Sequence, residues 1–404
     1  MRSHWTRRAG FRAAAIVMSA GLTLAACGGV GGGNAAGSLE EMDPLTLKVA
    51  TLYGPDNWQT APMQAFTDSI EEKSDGKISF EYFYAGSVLA PDEIVDGLRD
   101  GLADLAYFVQ VYTPAKFPMD DWISQAAFLS DPDPIGGHLQ SIGASAEWAI
   151  NDADFTTEFE AQGVTPLIPR VQVIHTYDLL CTDPVTTLGE AAGATVRIGG
   201  PSWAEAAESL GMNPVSLAGE ELYTGMQQGV VDCFMGGQSD MAGLNLLDLG
   251  QNFVSTGFAG FSSYAIGIGT EQWESLPLEA QQLIWDEIPT YLEAFAESSF
   301  GAVAEFQQAV DEQGVTIHEP ADDLAEAAAE HNDEVLAGLI EASPDSVSDP
   351  EATVASFEEM HDKWFEVVDE LGLFGLPEEQ IADTDTSEWV DRVWTEVFEA
   401  HRPE

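Results

Sequence analysis

The sequence predicts an α/β protein with layered helices and largely parallel sheets, and three observations carry that reading. From Leu45 onward, segments with two-residue alternation and segments with helical spacing take turns along the chain. At 404 residues the chain is long enough for two or three domains with ample core. One apolar-periodic run, Ala280 to Glu312, is longer than a single small domain needs, so it is expected to cross between two. There is no internal repeat at solenoid periods.

The elements follow in order. Leu45 to Ala50 alternates as a strand and runs into a turn at Tyr53-Gly54-Pro55-Asp56-Asn57-Trp58. Residues 59–73 read as an amphipathic helix that Ser74-Asp75-Gly76 ends. Lys77 to Tyr84 alternates again, Pro91 to Gly101 reads as helix, and Asp104 to Gln110 is a short apolar strand. Further strands are predicted at 164–173, 194–198, 230–235, 262–269 and 314–318, with helices at 201–210 and 219–228. In the long run Ile284, Ile288, Leu292, Phe295, Phe300, Val303, Phe306 and Val310 recur at near-helical spacing. Pro289 lacks an N–H donor and is expected to kink or break that run. The tail reads as helices at 322–341, 351–370 and 387–400, acidic outside and packing elements in role.

Residues 1–26 are read as a signal peptide. Arg2, Arg7, Arg8 and Arg12 precede an apolar stretch, Ala13 to Ala26, too short to span a bilayer. The stretch ends in Leu24-Ala25-Ala26-Cys27-Gly28, which resembles the lipobox of bacterial lipoproteins, with Cys27 as the acylated residue and new N-terminus. Residues 27–44 then form a lipidated, flexible tether, Gly-rich from Gly28 to Gly37, with a reach of roughly 20–25 Å. An anchored body on the outer face of the cytoplasmic membrane is the expected location.

Charge narrows the function classes. There are 14 Lys+Arg against 69 Asp+Glu, a formal charge of −55. Nucleic acid is excluded as partner because phosphate binding needs basic patches. A Lys-poor acidic surface fits a high-salt habitat, where screening relieves self-repulsion. Between Lys116 and Lys363 the only Lys or Arg residues are Arg170 and Arg197, so these two are where an anionic ligand would be held.

Catalytic and cofactor motifs are missing. Gly143-Ala144-Ser145-Ala146-Glu147 fails the nucleophile-elbow pattern at its last position, and Gly267-Ile268-Gly269 is followed by Gln272 where a dinucleotide loop needs Gly. No P-loop, HExxH or CxxC occurs, and the prolines of Asp131-Pro132-Asp133-Pro134 spoil a calcium loop. No cofactor, no metal and no enzymatic activity are expected.

Three linked motifs point to a family. Gly193-Ala194-Thr195-Val196-Arg197 is followed by Leu210-Gly211-Met212-Asn213-Pro214-Val215. Then comes Glu221-Leu222-Tyr223-Thr224-Gly225-Met226-Gln227-Gln228-Gly229-Val230-Val231-Asp232. In this order they resemble the signature of solute-binding proteins of tripartite ATP-independent periplasmic (TRAP) transporters. Asp75-Gly76-Lys77-Ile78 to Tyr84-Ala85-Gly86, and Gly97 to Asp104, agree more loosely, so the resemblance covers residues 45 to about 315.

The resemblance implies a two-lobed, periplasmic-binding-protein-like clamp with a long inter-lobe helix, extra C-terminal helices and the ligand between the lobes. Lobe I would take residues 45–170 and about 260–298, and lobe II 171–259 and about 299–320, with 321–404 packing on both. Arg197 would bind the solute carboxylate, with backbone donors from Gly199-Gly200-Pro201-Ser202. Other candidate pocket residues are Asn57, Trp58, Phe108, Gln110 and Tyr112 at strand ends, Trp203 as a wall, and Gly236. Tyr223 and Asp232 are read as structural. Relatives often carry a second Arg some twenty residues before the first, where this chain has Thr176-Tyr177-Asp178, and Arg170 is the nearest substitute. They also often have Asn after V-V-D-G, where this chain has Cys233-Phe234-Met235-Gly236-Gly237. A dicarboxylate clamp is therefore not reproduced, and a monocarboxylate, a keto acid or a zwitterion such as ectoine stands equally open. With Cys27 acylated, Cys181 and Cys233 remain in an oxidising compartment and are expected to pair.

The function so implied is an extracytoplasmic receptor that captures a small carboxylate-bearing solute and hands it to TRAP permease subunits. The rival readings are the binding lipoprotein of an ATP-driven importer and an extracellular enzyme.

Overall fold

A computed structural model describes residues 37–172, 176–199, 201–217, 219–260 and 263–404. The segment read above as a signal peptide, Cys27 and most of the segment read as a tether lie outside these residues, as does Gly200. In chain order the described strands are β1 (Leu45–Ala50), β2 (Ile78–Phe83), β3 (Leu105–Val109), β4 (Val164–Gln172), β5 (Thr176–Cys181), β6 (Thr195–Ile198), β7 (Asn213–Ser216), β8 (Cys233–Gly236), β9 (Asn252–Ala259), β10 (Ser263–Gly269) and β11 (Thr316–His318). They form two sheets, ordered β2-β1-β3-β10-β4 and β11-β9-β5-β8-β6-β7, and each sheet is the centre of one lobe.

The chain passes from the first sheet to the second between β4 and β5 and returns between β9 and β10. This geometry corrects the expectation of largely parallel sheets. β10 runs antiparallel to both β3 and β4, and β5 antiparallel to both β8 and β9. Strand direction leaves no mark on apolar alternation. Here it follows from topology, because β5 and β10 each enter their sheet directly after crossing from the other. β3 and β10 are buried throughout, as strands covered on both faces should be.

The long apolar run is two helices, Leu278–Asp286 and Ile288–Gln313. Pro289 sits in the first turn of the second, where its missing N–H costs nothing, and the break falls at Glu287. Buried Glu287 accepts from Ser69 Oγ and Lys73 Nζ, both at 2.6 Å. The second helix serves both lobes. Its Phe295 lies 6.0 Å from the ring of Trp58 after β1, and its Phe306 lies 5.2 Å from Phe253 on β9. It ends at Gly314, whose φ of 77° closes the helix in the left-handed region.

Two helices that the sequence pattern leaves unassigned, Gly136–Asn151 and Ala153–Gln162, cover the first sheet. The tail helix Pro350–Glu370 packs on the first of them. Gly143 permits this approach, since a Cβ there would stand 2.3 Å from the Trp364 ring. Glu147 holds the contact, accepting from Lys363 Nζ at 2.6 Å and Trp364 Nε1 at 2.7 Å. Helix Asp322–Gly338 lies on the second lobe, where Asn332 Nδ2 donates to Gly257 O at 3.0 Å. The last segment is shorter as α-helix than its pattern predicts, ending at Val393 and continuing as a π turn, Trp394–Phe398.

Buried Glu158 makes the fold sensitive to pH. Its Oε1 accepts from Met119 N at 3.1 Å and Ser346 Oγ at 3.2 Å, and burial pushes its carboxyl up to about 7. From the unfolded value near ~4.3 up to about 7, the native state keeps a proton that the unfolded chain has lost. Its contribution is therefore intact at acid pH and lost as pH rises through 7, on the order of 3 kcal/mol in all. Glu158→Gln keeps the acceptor oxygen and removes the titration. Melts of wild type and variant from pH 5 to 8 are expected to converge at the acid end and separate at the alkaline end, with the variant the more stable.

Cys181 and Cys233 occupy directly paired positions on β5 and β8 and form a disulfide, with Cα atoms 4.1 Å apart. The bridge closes a 52-residue separation, so the chain-entropy model gives it about 4 kcal/mol. Chemical unfolding with and without reductant is expected to show a loss of that order, and equal midpoints would count against the bond.

Candidate functional site

The site grows from β6. Val196 and Ile198 point into the core, and Arg197 between them faces the opposite way, paired in register with Val215 on β7 and Phe234 on β8. Its Nε donates to Leu217 O at 3.0 Å. The guanidinium carbon lies 4.8 Å from the centre of the Trp203 ring and 6.0 Å from that of Phe234. Gly199 makes the Trp203 stack possible, because a Cβ there would stand 2.3 Å from the indole. Arg197 is only 4% exposed, yet among the described residues its Nη atoms have no hydrogen-bond or ion-pair partner.

Arg197 belongs to the wall of a cavity of about 340 Å³. The second lobe contributes Arg197, Gly199, Ser216, Leu217 and Gly219, and the first contributes Leu52, Tyr53, Pro91, Asp92 and Tyr112. Nearly all lie at or just beyond the carboxyl ends of β1, β2, β3, β6 and β7, where open α/β sheets place their ligands. The lobes touch beside the cavity. Tyr53 lies over Gly219, with its Oη 3.3 Å from where a Cβ would be, and Gln59 Nε2 donates to Asp240 Oδ1 at 3.0 Å.

Electrostatics around the cavity are mixed. Burial pushes the Asp240 carboxyl up to about 7, with Arg197 pulling the other way. The Tyr53 hydroxyl is held well above its ordinary value by burial, reinforced by Tyr112 and Asp240. Among the described residues, no group of three or more His, Cys, Asp or Glu side chains is placed to hold a metal ion. No helix among them is long and apolar enough to cross a membrane.

The residues singled out in the sequence separate into three groups. Arg197 and Tyr112 line the cavity, and Trp203 backs the guanidinium. Trp58 and Asn57 sit beside the interface between the lobes. Trp58 lies against Gly243, and Asn57 Oδ1 caps its own turn by accepting from Gln59 N at 2.9 Å. Gly236 closes β8 opposite Asp178, leaving room for the Phe234 ring.

Two residues stand elsewhere and are corrections. Phe108 is core, packed 5.8 Å from Phe117 and 6.4 Å from Phe159 by ring centres. Arg170 is fully buried in an ion pair with Asp120 at 2.8 Å and donates to Ser124 Oγ at 2.9 Å, so it offers nothing to a ligand. Gln110 is fully buried outside the cavity lining, and its side-chain amide has no partner among the described residues. Tyr53, Asp92 and the Gln59–Asp240 pair are the residues that sequence reasoning misses. Only Tyr53 stands soon after a strand; the others carry no local signal.

Two lobes, each built on its own sheet, with a cavity of mixed polarity between their loop ends and, in its wall, a guanidinium whose Nη atoms have no partner among the described residues, define a solute-binding clamp. The family model for bacterial extracellular solute-binding protein, family 7 (DctP), matches residues 49–342, and the chain belongs to that family. A solute-binding protein of Roseobacter denitrificans is 23% identical over 306 residues, covering 74% of this chain and 88% of its own. The ectoine-binding periplasmic protein TeaA of Halomonas elongata is 22% identical over 271 residues, 60% of this chain and 72% of its own. Among solved structures, a marine-metagenome TRAP solute-binding protein in complex with pyroglutamate aligns with a TM-score of 0.68 at 16% identity, covering 78% of this chain and 99% of that one. One from Bordetella bronchiseptica with bound mandelate aligns at 0.67 and 20%, covering 79% and 99%.

Proposed function

We propose that this protein is the extracytoplasmic receptor of a TRAP-type uptake system, taking a small carboxylate-bearing solute into the cavity at Arg197 and delivering it to membrane permease subunits. The observation that carries the reading is the Arg197 guanidinium, nearly buried, backed by Trp203, and with Nη donors left for a ligand. A planar guanidinium offers a carboxylate two parallel N–H donors, which fixes orientation as well as charge. Because both lobes line the cavity, a bound solute favours the closed arrangement by its differential affinity for it. Relatives described with pyroglutamate, mandelate, galacturonate and ectoine support a carboxylate as the common feature. The receptor performs no covalent chemistry on its solute.

The lipobox-like Leu24-Ala25-Ala26-Cys27 supports an N-terminal lipid anchor that holds this body at the outer face of the membrane. A thermal-shift screen of residues 38–404 in molar salt, over keto acids, sugar acids, aromatic acids, dicarboxylates and amino-acid zwitterions, tests the reading. A carboxylate is expected to raise the melting temperature by mass action. Stabilisation by neutral sugars alone would overturn it.

A further inference from the structure

The charges on the cavity wall specify more than a carboxylate. Among the described residues that line the cavity, Arg197 is the only Lys or Arg, and it comes from the second lobe. Asp92, in the turn Pro91–Glu93 beyond β2, comes from the first. Among the described residues, Asp92 has no hydrogen-bond or ion-pair partner, so its carboxylate and the Arg197 Nη atoms are both left for a ligand. Tyr53 and Tyr112 stand on the same side as Asp92 and present aromatic surface. Aromatic faces attract organic cations through the ring quadrupole, most strongly where water is partly excluded.

A solute with two carboxylates would meet one guanidinium and set its second negative charge towards Asp92, inside a chain of formal charge −55. A solute with one carboxylate and one cationic group leaves neither wall charge unmatched. The volume, about 340 Å³, lies at the small end of ligand pockets, which typically span ~300–1,000 Å³. Resting on the receptor reading above, we infer that the solute is a small zwitterion whose carboxylate lies on Arg197 and whose ammonium, amidinium or quaternary ammonium group lies on Asp92 between Tyr53 and Tyr112. The Gln59–Asp240 hydrogen bond places a second carboxylate in electrostatic reach of Tyr53 and Arg197.

Matched pairs test the inference by calorimetric titration. Proline and pyroglutamate share a ring and carboxylate and differ in a cationic amine against a neutral lactam. Trimethylglycine and 3,3-dimethylbutanoate differ only in a quaternary nitrogen against carbon. 4-Aminobutanoate and pentanoate extend the comparison to a linear chain. The cationic member of the best-binding pair is expected to bind about tenfold or more tightly than its partner. Asp92→Asn is expected to bring that ratio near one by weakening the cationic member alone, whereas Arg197→Ala weakens both. Asp92 is exposed, so the substitution leaves the fold unaffected. Equal or tighter binding of the plain carboxylate, or an Asp92→Asn loss shared by both members, overturns the inference and leaves the receptor reading in place. Failure of every carboxylate, cationic or plain, to bind counts against the receptor reading itself.

Discussion

Arg197→Ala is expected to weaken solute binding severely while the protein stays folded. The substitution removes the only Lys or Arg side chain of the cavity wall, the one whose Nη atoms have no protein partner among the described residues. Truncating one side of a desolvated, hydrogen-bonded charge pair costs about 2–5 kcal/mol, a loss of roughly 30-fold to several thousandfold in affinity. The cost to the fold is smaller, since Arg197 gives the protein one hydrogen bond, to Leu217 O, and one stack, on Trp203, each worth about 1 kcal/mol. Arg197→Lys retains the charge but loses the fork and its stack on Trp203, so an intermediate affinity is expected. Calorimetry with the solute found by screening reads all three proteins, and an Ala variant within threefold of wild type would remove Arg197 from the site.

The second large effect is on stability. Asp120→Ala is expected to destabilise the protein by about 3–5 kcal/mol, because it strands Arg170 as a buried, unpaired charge. Asp120 accepts from Arg170 Nε at 2.8 Å and from Ser263 Oγ at 2.8 Å, and Ser263 opens β10 directly after the return from the second lobe. Nearby, the side chain of Gln172 at the end of β4 donates to Gly260 O. The ion pair thus sits in the first lobe beside the β4–β5 and β9–β10 connections to the second. Burial works against both charges, pushing the Asp120 carboxyl up and the Arg170 guanidinium down, so the pair survives through mutual attraction and its hydroxyl partners. Replacing both, as Asp120→Leu with Arg170→Met, is expected to recover much of the loss. Urea unfolding measures this, and full retention of affinity by the folded double variant would separate Arg170 from ligand binding.

How much was legible in the sequence varied with the physics of each part. β6 and its Arg were readable because a short alternating strand, a Gly-Gly stop and a helix start leave a local pattern, and in the structure the strand ends at Ile198 and a helix begins at Pro201. The break before Pro289 was readable for the same reason, since a proline constrains its own backbone wherever it falls. Phe108 was not separable from a cleft residue, because β3 is buried on both faces and alternation then says nothing about which side meets solvent. Arg170 misled because scarcity of cations marks importance without saying for what, and its partner Asp120 lies 50 positions away. Tyr53 and Asp92 come together only through the sheet order, which brings the loops after β1 and β2 opposite those after β6 and β7. Strands β5 and β9 carry a register shift against each other, and Gly257 in β9 takes a φ of 64°, so neither shows clean alternation.

The most direct measurement is a crystal structure of residues 38–404 with the solute found by screening. The expected result places its carboxylate oxygens ~2.7–2.9 Å from the two Nη atoms of Arg197, in the cavity bounded by Tyr53, Tyr112 and Leu217. A solute bound away from this cavity, or within it but with its carboxylate turned from Arg197, would contradict the assignment of the site.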